Sequence, residues 1–144
     1  MTKLNHIGVV TNHPKRLLDF YTGALAFTRS QEITLSKEIV RSIFNIRKEA
    51  TMVKLVKDKT CLEVFWFKDY RLKPRAQDTR GYNHFGIEEE KRGLLCQKLR
   101  RVFHIKVTKV KRGGHYNYFI RDPDRNIIEI KERVVNPPSY TIGD

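Results

Sequence analysis

One short motif occurs twice in this chain of 144 residues. Asn5-His6-Ile7-Gly8-Val9 near the N-terminus matches Asn83-His84-Phe85-Gly86-Ile87 in the second half. In both copies the histidine alternates with apolar neighbours, which is typical of a β-strand. A repeat of this kind predicts two copies of one module. We therefore expect a single domain with module 1 at residues 3–70, a linker at 71–80, module 2 at 81–134 and a loose tail at 135–144.

The composition limits the class of protein. Hydrophobic residues make up 40% of the chain, which is enough for a core. No apolar run reaches the ~18 residues of a membrane span, and the first residues lack the apolar stretch of a signal peptide. Without that signal, the two cysteines, Cys61 and Cys96, indicate free thiols in a reducing compartment. We therefore expect a cytoplasmic protein that does not bind membranes.

The net charge of +13 favours an anionic partner, which would be nucleic acid or a small acidic substrate. The basic residues are spread along the chain, and no predicted helix carries a purely basic stripe. No nucleic-acid-binding motif accompanies them. Nucleic acid is therefore not the expected partner, and a nucleic-acid binder remains an alternative that rests on charge alone.

The spacing of apolar residues predicts the elements of module 1. Asn12 is expected to cap a helix that runs to about Leu25, because an amide side chain can accept from a free N–H at a helix start. A short helix is expected at 37–44, with a strand as the alternative. Strands at 51–56 and 60–67 are expected to form a hairpin around residues 57–59.

Module 2 is predicted to repeat this order without the extra helix. After its first strand, a helix is expected at about 89–103, and Gly113-Gly114 predicts a hairpin. Residues 122–125 predict a turn before a last strand at 126–133. The residues expected to form the buried side of the helix are Leu94, Leu95, Leu99 and Val102.

Each module combines a histidine in its first strand with a glutamate in its last. His6 and Glu63 are 57 positions apart, and His84 and Glu129 are 45 apart. The predicted helix at 37–44 and its loops account for the difference. Glutamate is rarely buried unless it is paired or bound to a metal. If each sheet curls, two modules could bring together two imidazoles and two carboxylates, which suit first-row divalent metals.

Three other stretches accompany the repeated histidine motif: Leu18-Asp19-Phe20-Tyr21 leading to Leu25-Ala26-Phe27, Leu62-Glu63-Val64-Phe65, and Asp122-Pro123-Asp124-Arg125-Asn126-Ile127-Ile128-Glu129. With them the chain resembles the vicinal oxygen chelate superfamily of glyoxalases, bleomycin-resistance proteins and extradiol dioxygenases. The resemblance extends from Leu4 to about Arg133. It departs from the family pattern at Ala26 and Arg125, where the family commonly has glycine.

The resemblance implies an α+β fold of paired βαβββ modules, whose curved mixed sheets surround a central metal cavity. It also implies one divalent metal ion, which could be zinc, nickel, manganese, cobalt or iron. The implied ligands are His6, Glu63, His84 and Glu129. A fourth ligand at Glu63 is more like glyoxalase I or methylmalonyl-CoA epimerase than like the dioxygenases, which typically use three. Glu129 and Glu63 are then the candidate catalytic bases.

The activity implied by the resemblance is that of a metal-dependent lyase or isomerase of glyoxalase type. Such an enzyme chelates vicinal oxygens of a small, in some cases anionic, substrate and stabilises an enediolate-like intermediate. Cys61 and Phe65, on the face of Glu63, are expected to line the substrate pocket. A homodimer is expected, and the site could lie within one chain or between two. An extradiol-type dioxygenase and a non-catalytic small-molecule binding protein of the same fold are the alternatives.

Overall fold

The computed structural model describes residues 1–76 and 78–133. The chain divides into two compact units. Unit 1 contains Met1–Gly81 together with Asp122–Asn126, and unit 2 contains Tyr82–Arg121 and the chain from Ile127 onward. The boundary at residue 81 falls at the end of the predicted linker. The assignment of the whole chain to one domain stays a prediction, and the predicted loose tail at 135–144 lies outside the described residues.

Unit 1 has a four-stranded sheet in the order β1-β4-β3-β2. Strand β1 runs parallel to β4, and the other pairs are antiparallel. The predicted helix at 37–44 and the predicted hairpin are both confirmed. The elements are β1 (Ile7–Val10), α1 (Pro14–Asp19) with a π-helical turn (Phe20–Ala24), β2 (Thr28–Leu35), α2 (Lys37–Phe44), β3 (Ala50–Lys57) and β4 (Thr60–Phe67).

Unit 2 has the same sheet without a counterpart of α2. Its order is β5-β8-β7-β6, with β5 parallel to β8 and the remaining pairs antiparallel. Within residues 1–76 and 78–133, two four-stranded mixed sheets and three helices confirm the expected α+β class and agree with βαβββ modules. The elements are β5 (His84–Glu89), α3 (Arg92–Arg101), β6 (Thr108–Arg112), β7 (His115–Arg121) and β8 (Ile127–Glu132).

Both faces of the unit 1 sheet are packed by a helix. On one face, α1 packs against β4, whose Leu62 and Val64 are both 0% exposed. Burial of each such aliphatic side chain contributes about 1.5–3 kcal/mol. On the other face, Phe44 of α2 contacts Phe65 and Phe67, with ring centroids 5.3 and 5.4 Å apart. The helix α2 therefore covers part of the face that also carries Glu63.

The start of α1 corrects the prediction for Asn12. His13 is the N-cap residue, and no side chain caps this helix. Asn12 instead pairs with the backbone of Leu72: its Nδ2 donates to the Leu72 carbonyl, and the Leu72 N–H donates to its Oδ1, both at 2.8 Å. An amide side chain can donate to the carbonyl and accept from the N–H of the same residue in an extended segment. This pairing competes with helix capping for the asparagine side chain. Asn12 therefore fixes the beginning of the linker.

The buried side of α3 also differs from the prediction. Cys96 and Leu99 are buried at 1% and 0% exposure, whereas Leu94 and Val102 are exposed at 62% and 61%. The helix turns its Cys96–Leu99 side to the sheet, because a cysteine side chain packs as a small apolar group. Burial raises the pKa of the Cys96 thiol. None of the helices in the described ranges is long and apolar enough to span a membrane.

Candidate metal site

The first predicted ligand pair meets within unit 1. Glu63 of β4 lies opposite Gly8 of β1 in the parallel ladder. His6 comes two residues before Gly8 and directly precedes β1, so its ring reaches the same side of the sheet. The Nε2 atom of His6 is 3.4 Å from Oε2 of Glu63, and their side chains are 43% and 20% exposed. The pair is therefore formed at the edge of the sheet and is open to solvent on the histidine side.

The second predicted pair meets in the same way within unit 2. Glu129 of β8 lies opposite Gly86 of β5, again in a parallel ladder. The Nε2 atom of His84 is 3.6 Å from Oε2 of Glu129, and their side chains are 40% and 13% exposed. The repeated sequence motif thus corresponds to a repeated local geometry.

An asparagine orients each imidazole. Nδ1 of His6 is 2.9 Å from Oδ1 of Asn5, and Nδ1 of His84 is 2.9 Å from Oδ1 of Asn83. With the amide oxygen facing the ring, a neutral imidazole would carry its proton on Nδ1 and donate it to the asparagine, and its lone pair would then be on Nε2. That lone pair faces a carboxylate oxygen, so two acceptors point at one position. A cation at that position would satisfy both.

The two asparagines were part of the sequence motif, but their role was not predicted. They stand directly before the histidines, and adjacent side chains in a regular strand point to opposite faces. Asn5 and Asn83 both lie just outside their strands, since β1 begins at Ile7 and β5 at His84. Departure from regular strand geometry allows neighbouring side chains to meet.

The separation within each pair fits two positions around a first-row metal ion. Bonds of about 2.0–2.2 Å place two ligand atoms about 2.8–3.6 Å apart at octahedral or tetrahedral angles. The observed N···O distances of 3.4 and 3.6 Å agree with a tetrahedral angle or a slightly wider one. Among the described residues, no three His, Cys, Asp or Glu side chains form a group that could hold a metal. The centre with four ligands therefore stays a prediction.

The residues predicted to line the pocket lie on the expected face of β4. Alternation along the strand puts Cys61 and Phe65 on the same side as Glu63. Cys61 is a free, partly buried thiol, and Phe65 is 9% exposed and packs against Phe44. Their contact with a substrate stays a prediction.

Two further residues adjoin the glutamates, and the sequence did not identify them. Lys54 of β3 lies directly opposite Glu63, and Phe119 of β7 lies directly opposite Glu129. The Phe119 ring meets the His84 ring edge-on, with centroids 5.9 Å apart. The register of the two hairpins is the signal that would have found them, because directly opposite residues share a face.

A buried carboxylate organises the predicted turn at 122–125. Oδ1 of Asp122 accepts from the backbone N–H groups of Asp124 and Asn126, and Oδ2 accepts from the Tyr21 hydroxyl at 2.9 Å and from the Asn126 amide. Burial raises the pKa of Asp122, while these hydrogen bonds partly oppose the rise. Burial, and then the charge of Asp122, raise the pKa of Tyr21 well above its ordinary value. This cluster holds the turn against unit 1.

A surface cleft of about 910 Å³ in unit 2 contains none of the four predicted ligands. It is lined by α3 side chains and by Glu90 and Glu132. The arrangement of the His–Glu pairs, not this cleft, therefore identifies the candidate site.

Residues 3–130 match the family model of the Glyoxalase/Bleomycin resistance protein/Dioxygenase superfamily. The chain therefore belongs to this superfamily. No curated protein matches the sequence at a significant level.

Solved structures show the same fold at low sequence identity. The trypanothione-dependent glyoxalase I of Leishmania major is 19% identical, with a TM-score of 0.65, 92% of this chain covered and 87% of the other. A glyoxalase-family protein from Bacillus cereus is 10% identical, with a TM-score of 0.73 and coverage of 92% and 94%. An antibiotic-binding protein from a Streptomyces species is 11% identical, with a TM-score of 0.63 and coverage of 93% and 98%. One fold thus serves proteins described as enzymes and as binding proteins.

Proposed function

We propose that this protein is a divalent-metal-dependent lyase or isomerase of glyoxalase type. The observation that carries the proposal is the duplicated pair, in which an imidazole Nε2 faces a glutamate oxygen at 3.4 Å or 3.6 Å. When the imidazole is neutral and Nδ1 donates to asparagine, Nε2 and the carboxylate are both acceptors, so each pair is suited to a cation.

We propose that His6, Glu63, His84 and Glu129 hold one divalent cation, supplied by one chain or by two copies of it. When bound, the cation would stabilise negative charge on the substrate's vicinal oxygens. The asparagines keep each Nε2 lone pair directed at the site. Glu129, whose side chain is only 13% exposed, would take a proton from a substrate carbon and return it, with Glu63 as the second candidate base.

Hydrogen–deuterium exchange tests this proposal and does not require the natural substrate. The zinc-loaded and nickel-loaded proteins are incubated in D₂O with a panel of α-hydroxycarbonyl compounds, and NMR follows loss of the carbon-bound proton. We expect metal-dependent exchange, and we expect Glu129→Gln to slow it by about 10²–10⁴-fold because the positioned base is lost.

Glu132→Gln is the matched control for this experiment. Glu132 is in the same strand as Glu129, but its side chain is 62% exposed and pairs with Arg92 on the surface. We expect exchange at the wild-type rate in this variant. Full exchange in Glu129→Gln would exclude the proposed role of Glu129, and a protein that takes up no divalent metal would exclude the proposed enzyme class.

The same samples separate the alternatives. A non-catalytic binding protein would bind small molecules without metal and would exchange no proton. An extradiol-type dioxygenase would require iron specifically and would consume oxygen. A homodimer, an anionic small substrate and a cytoplasmic location complete the proposal, and sedimentation of the purified protein tests the first of these.

A further inference from the structure

A lysine lies next to the first ligand pair. Lys54 of β3 is the direct antiparallel partner of Glu63 of β4, so both side chains leave the same face of the sheet. Directly opposite residues have Cβ atoms about 4.5–5.5 Å apart. Lys54 therefore starts from the sheet position next to the proposed ligand and base.

This lysine does not neutralise the glutamate. Oε2 of Glu63 lies 3.4 Å from the His6 ring, and within the described part of the chain Lys54 makes no ion pair or hydrogen bond. Its partner on the other side, Gln31 of β2, is uncharged. Lys54 thus presents a positive charge without a protein counter-ion on the face of the candidate site.

The surroundings of Lys54 strengthen its attraction for an anion. Its side chain is partly buried, and the next row of this sheet face is apolar, with Phe65, Met52 and Ile33 side by side. A charge beside apolar groups is less screened than a charge in bulk water. An anionic group that lies against this row would lose part of its hydration, so pairing with the ammonium is the interaction that can offset that loss.

The corresponding position in unit 2 lacks a charge. Phe119 lies opposite Glu129 and packs edge-on against the His84 ring. At the position directly opposite the glutamate, the first pair therefore has a cationic side chain and the second pair has an aromatic one.

We propose that Lys54 binds a carboxylate of the substrate and so selects substrates that carry this group beside their metal-chelating oxygens. The inference rests on the proposed metal-dependent function. It adds the substrate class, namely small molecules with a vicinal oxygen pair and a separate carboxylate, together with the residue that recognises the carboxylate.

Two probes that share one metal-binding group test this selection. Acetohydroxamate chelates a metal through two neighbouring oxygens and is otherwise uncharged, and succinic monohydroxamate adds a carboxylate to the same group. Calorimetry measures the affinity of each probe for the zinc-loaded protein. We expect tighter binding of succinic monohydroxamate to the wild type, and we expect Lys54→Met to reduce the ratio of the two affinities about tenfold or more.

Matched variants isolate the effect. Lys59→Met makes the same charge change in the exposed β3–β4 turn and is expected to keep the wild-type ratio. Lys54→Arg retains the charge and is expected to keep most of the preference. Lys54→Met keeps an apolar side chain of similar length, and thermal unfolding checks that each variant is folded.

The outcomes separate this inference from the proposed function. Metal-dependent binding of acetohydroxamate with an unchanged ratio in Lys54→Met would overturn the role of Lys54 alone. A changed zinc affinity with an unchanged ratio would also overturn it, since Lys54 would then act only on Glu63. No metal-dependent binding of either probe would overturn the proposed function and this inference together.

Discussion

The two units contain the same ligand pair in different surroundings. Glu63 lies opposite Gly8, and Glu129 lies opposite Gly86, each across a parallel ladder. The histidine, its asparagine and the glutamate have nearly equal distances in both units. The geometry of the ligand pair, which the strand register fixes, is therefore the same in both units. The surroundings of the pair, which depend on insertions and neighbouring strands, differ.

The faces that carry the pairs differ most. In unit 1, α2 packs Phe44 against Phe65 and Phe67, whereas unit 2 connects β6 directly to β7 through Gly113-Gly114. The helix α2 therefore builds an apolar wall on one sheet and not on the other. We infer that the shared pair serves metal binding, and that the unequal surroundings serve substrate selection.

The first test in this comparison asks whether the two pairs are equivalent. We expect Asn5→Ala and Asn83→Ala each to lower zinc affinity by about 10–100-fold, because the imidazole loses the partner that fixes its tautomer. Competition with a chromogenic chelator measures the affinities. Asn5→Asp and Asn83→Asp retain an acceptor for Nδ1–H and should restore most of the affinity. A large loss in only one of the two alanine variants would show that the pairs do not share one ion.

A second difference lies under the helices. The Tyr21 carbonyl accepts from Phe27 N–H, and the Leu99 carbonyl accepts from Ile105 N–H, both at 2.9 Å, so Tyr21 and Leu99 hold equivalent places in the two units. Tyr21 donates to Asp122, whereas Leu99 offers only apolar surface. Unit 1 thus has a buried hydrogen bond where unit 2 has aliphatic packing.

Removal of that hydrogen bond should destabilise the protein. We expect Tyr21→Phe to lower the free energy of unfolding by about 1.5–3 kcal/mol, since Asp122 loses a charge-assisted donor in a buried site. Urea denaturation measures the change. Tyr70→Phe is the control: Tyr70 is 44% exposed, so the variant should change stability by less than about 0.5 kcal/mol. Equal effects of the two substitutions would contradict the role of the Tyr21 hydroxyl.

The same carboxylate predicts a dependence of stability on pH. Burial raises the folded-state pKa of Asp122 above its ordinary value of 3.8, so the folded protein binds this proton more tightly than the unfolded chain does. The contribution to stability is fully present below about pH 3.8 and is lost as the pH rises through the folded pKa. The stability of the wild type relative to Asp122→Asn should therefore increase on acidification. A difference that is constant or falls with acid would contradict the raised pKa.

Most of the fold could be predicted because it depends on local periodicity. The helix at 37–44, the first hairpin and the His–Glu pairing all followed from spacing along the chain. The residues directly opposite the glutamates could not be predicted in this way, because the strand register depends on the length of the turn. A three-residue turn at 57–59 would place Glu63 opposite Val53, but the structure pairs Lys57 with Thr60, so Lys54 faces Glu63. A change of one residue in a turn moves every side chain to the other face.

Other parts of the site needed contacts between distant residues. Tyr21 and Asp122 are 101 positions apart, and the sequence alone identified the latter only as part of a turn. Asn12 had the right chemistry for a cap, but it paired with Leu72, which is 60 positions away. Polar side chains with several possible partners cannot be assigned from local sequence, because the choice depends on tertiary packing.

The smallest expected effect concerns the helix ends, where the two units are again alike. Ala26 and His104 both have left-handed backbone, with φ values of 58° and 53°, between the paired residues that end each helix. A residue with a Cβ atom is strained by about 1–2 kcal/mol in this conformation. Replacement by glycine removes the strain, but it also increases the conformational entropy of the unfolded chain, which offsets part of the stabilisation. We therefore expect Ala26→Gly and His104→Gly each to stabilise the protein by about 0.5–1 kcal/mol in urea denaturation.

Gly93→Ala supplies the opposite control for this last comparison. Gly93 lies inside α3, and an added Cβ would meet no atom within 4 Å. Alanine should therefore stabilise the helix by up to about 1 kcal/mol. If alanine-to-glycine at position 26 and glycine-to-alanine at position 93 both stabilise the protein, the backbone conformation decides whether glycine is favourable. The family's usual glycine at the position of Ala26 would then reflect the φ value of the turn. Destabilisation by Ala26→Gly would mean that the alanine makes contacts that outweigh the strain, so the two helix ends would not be equivalent.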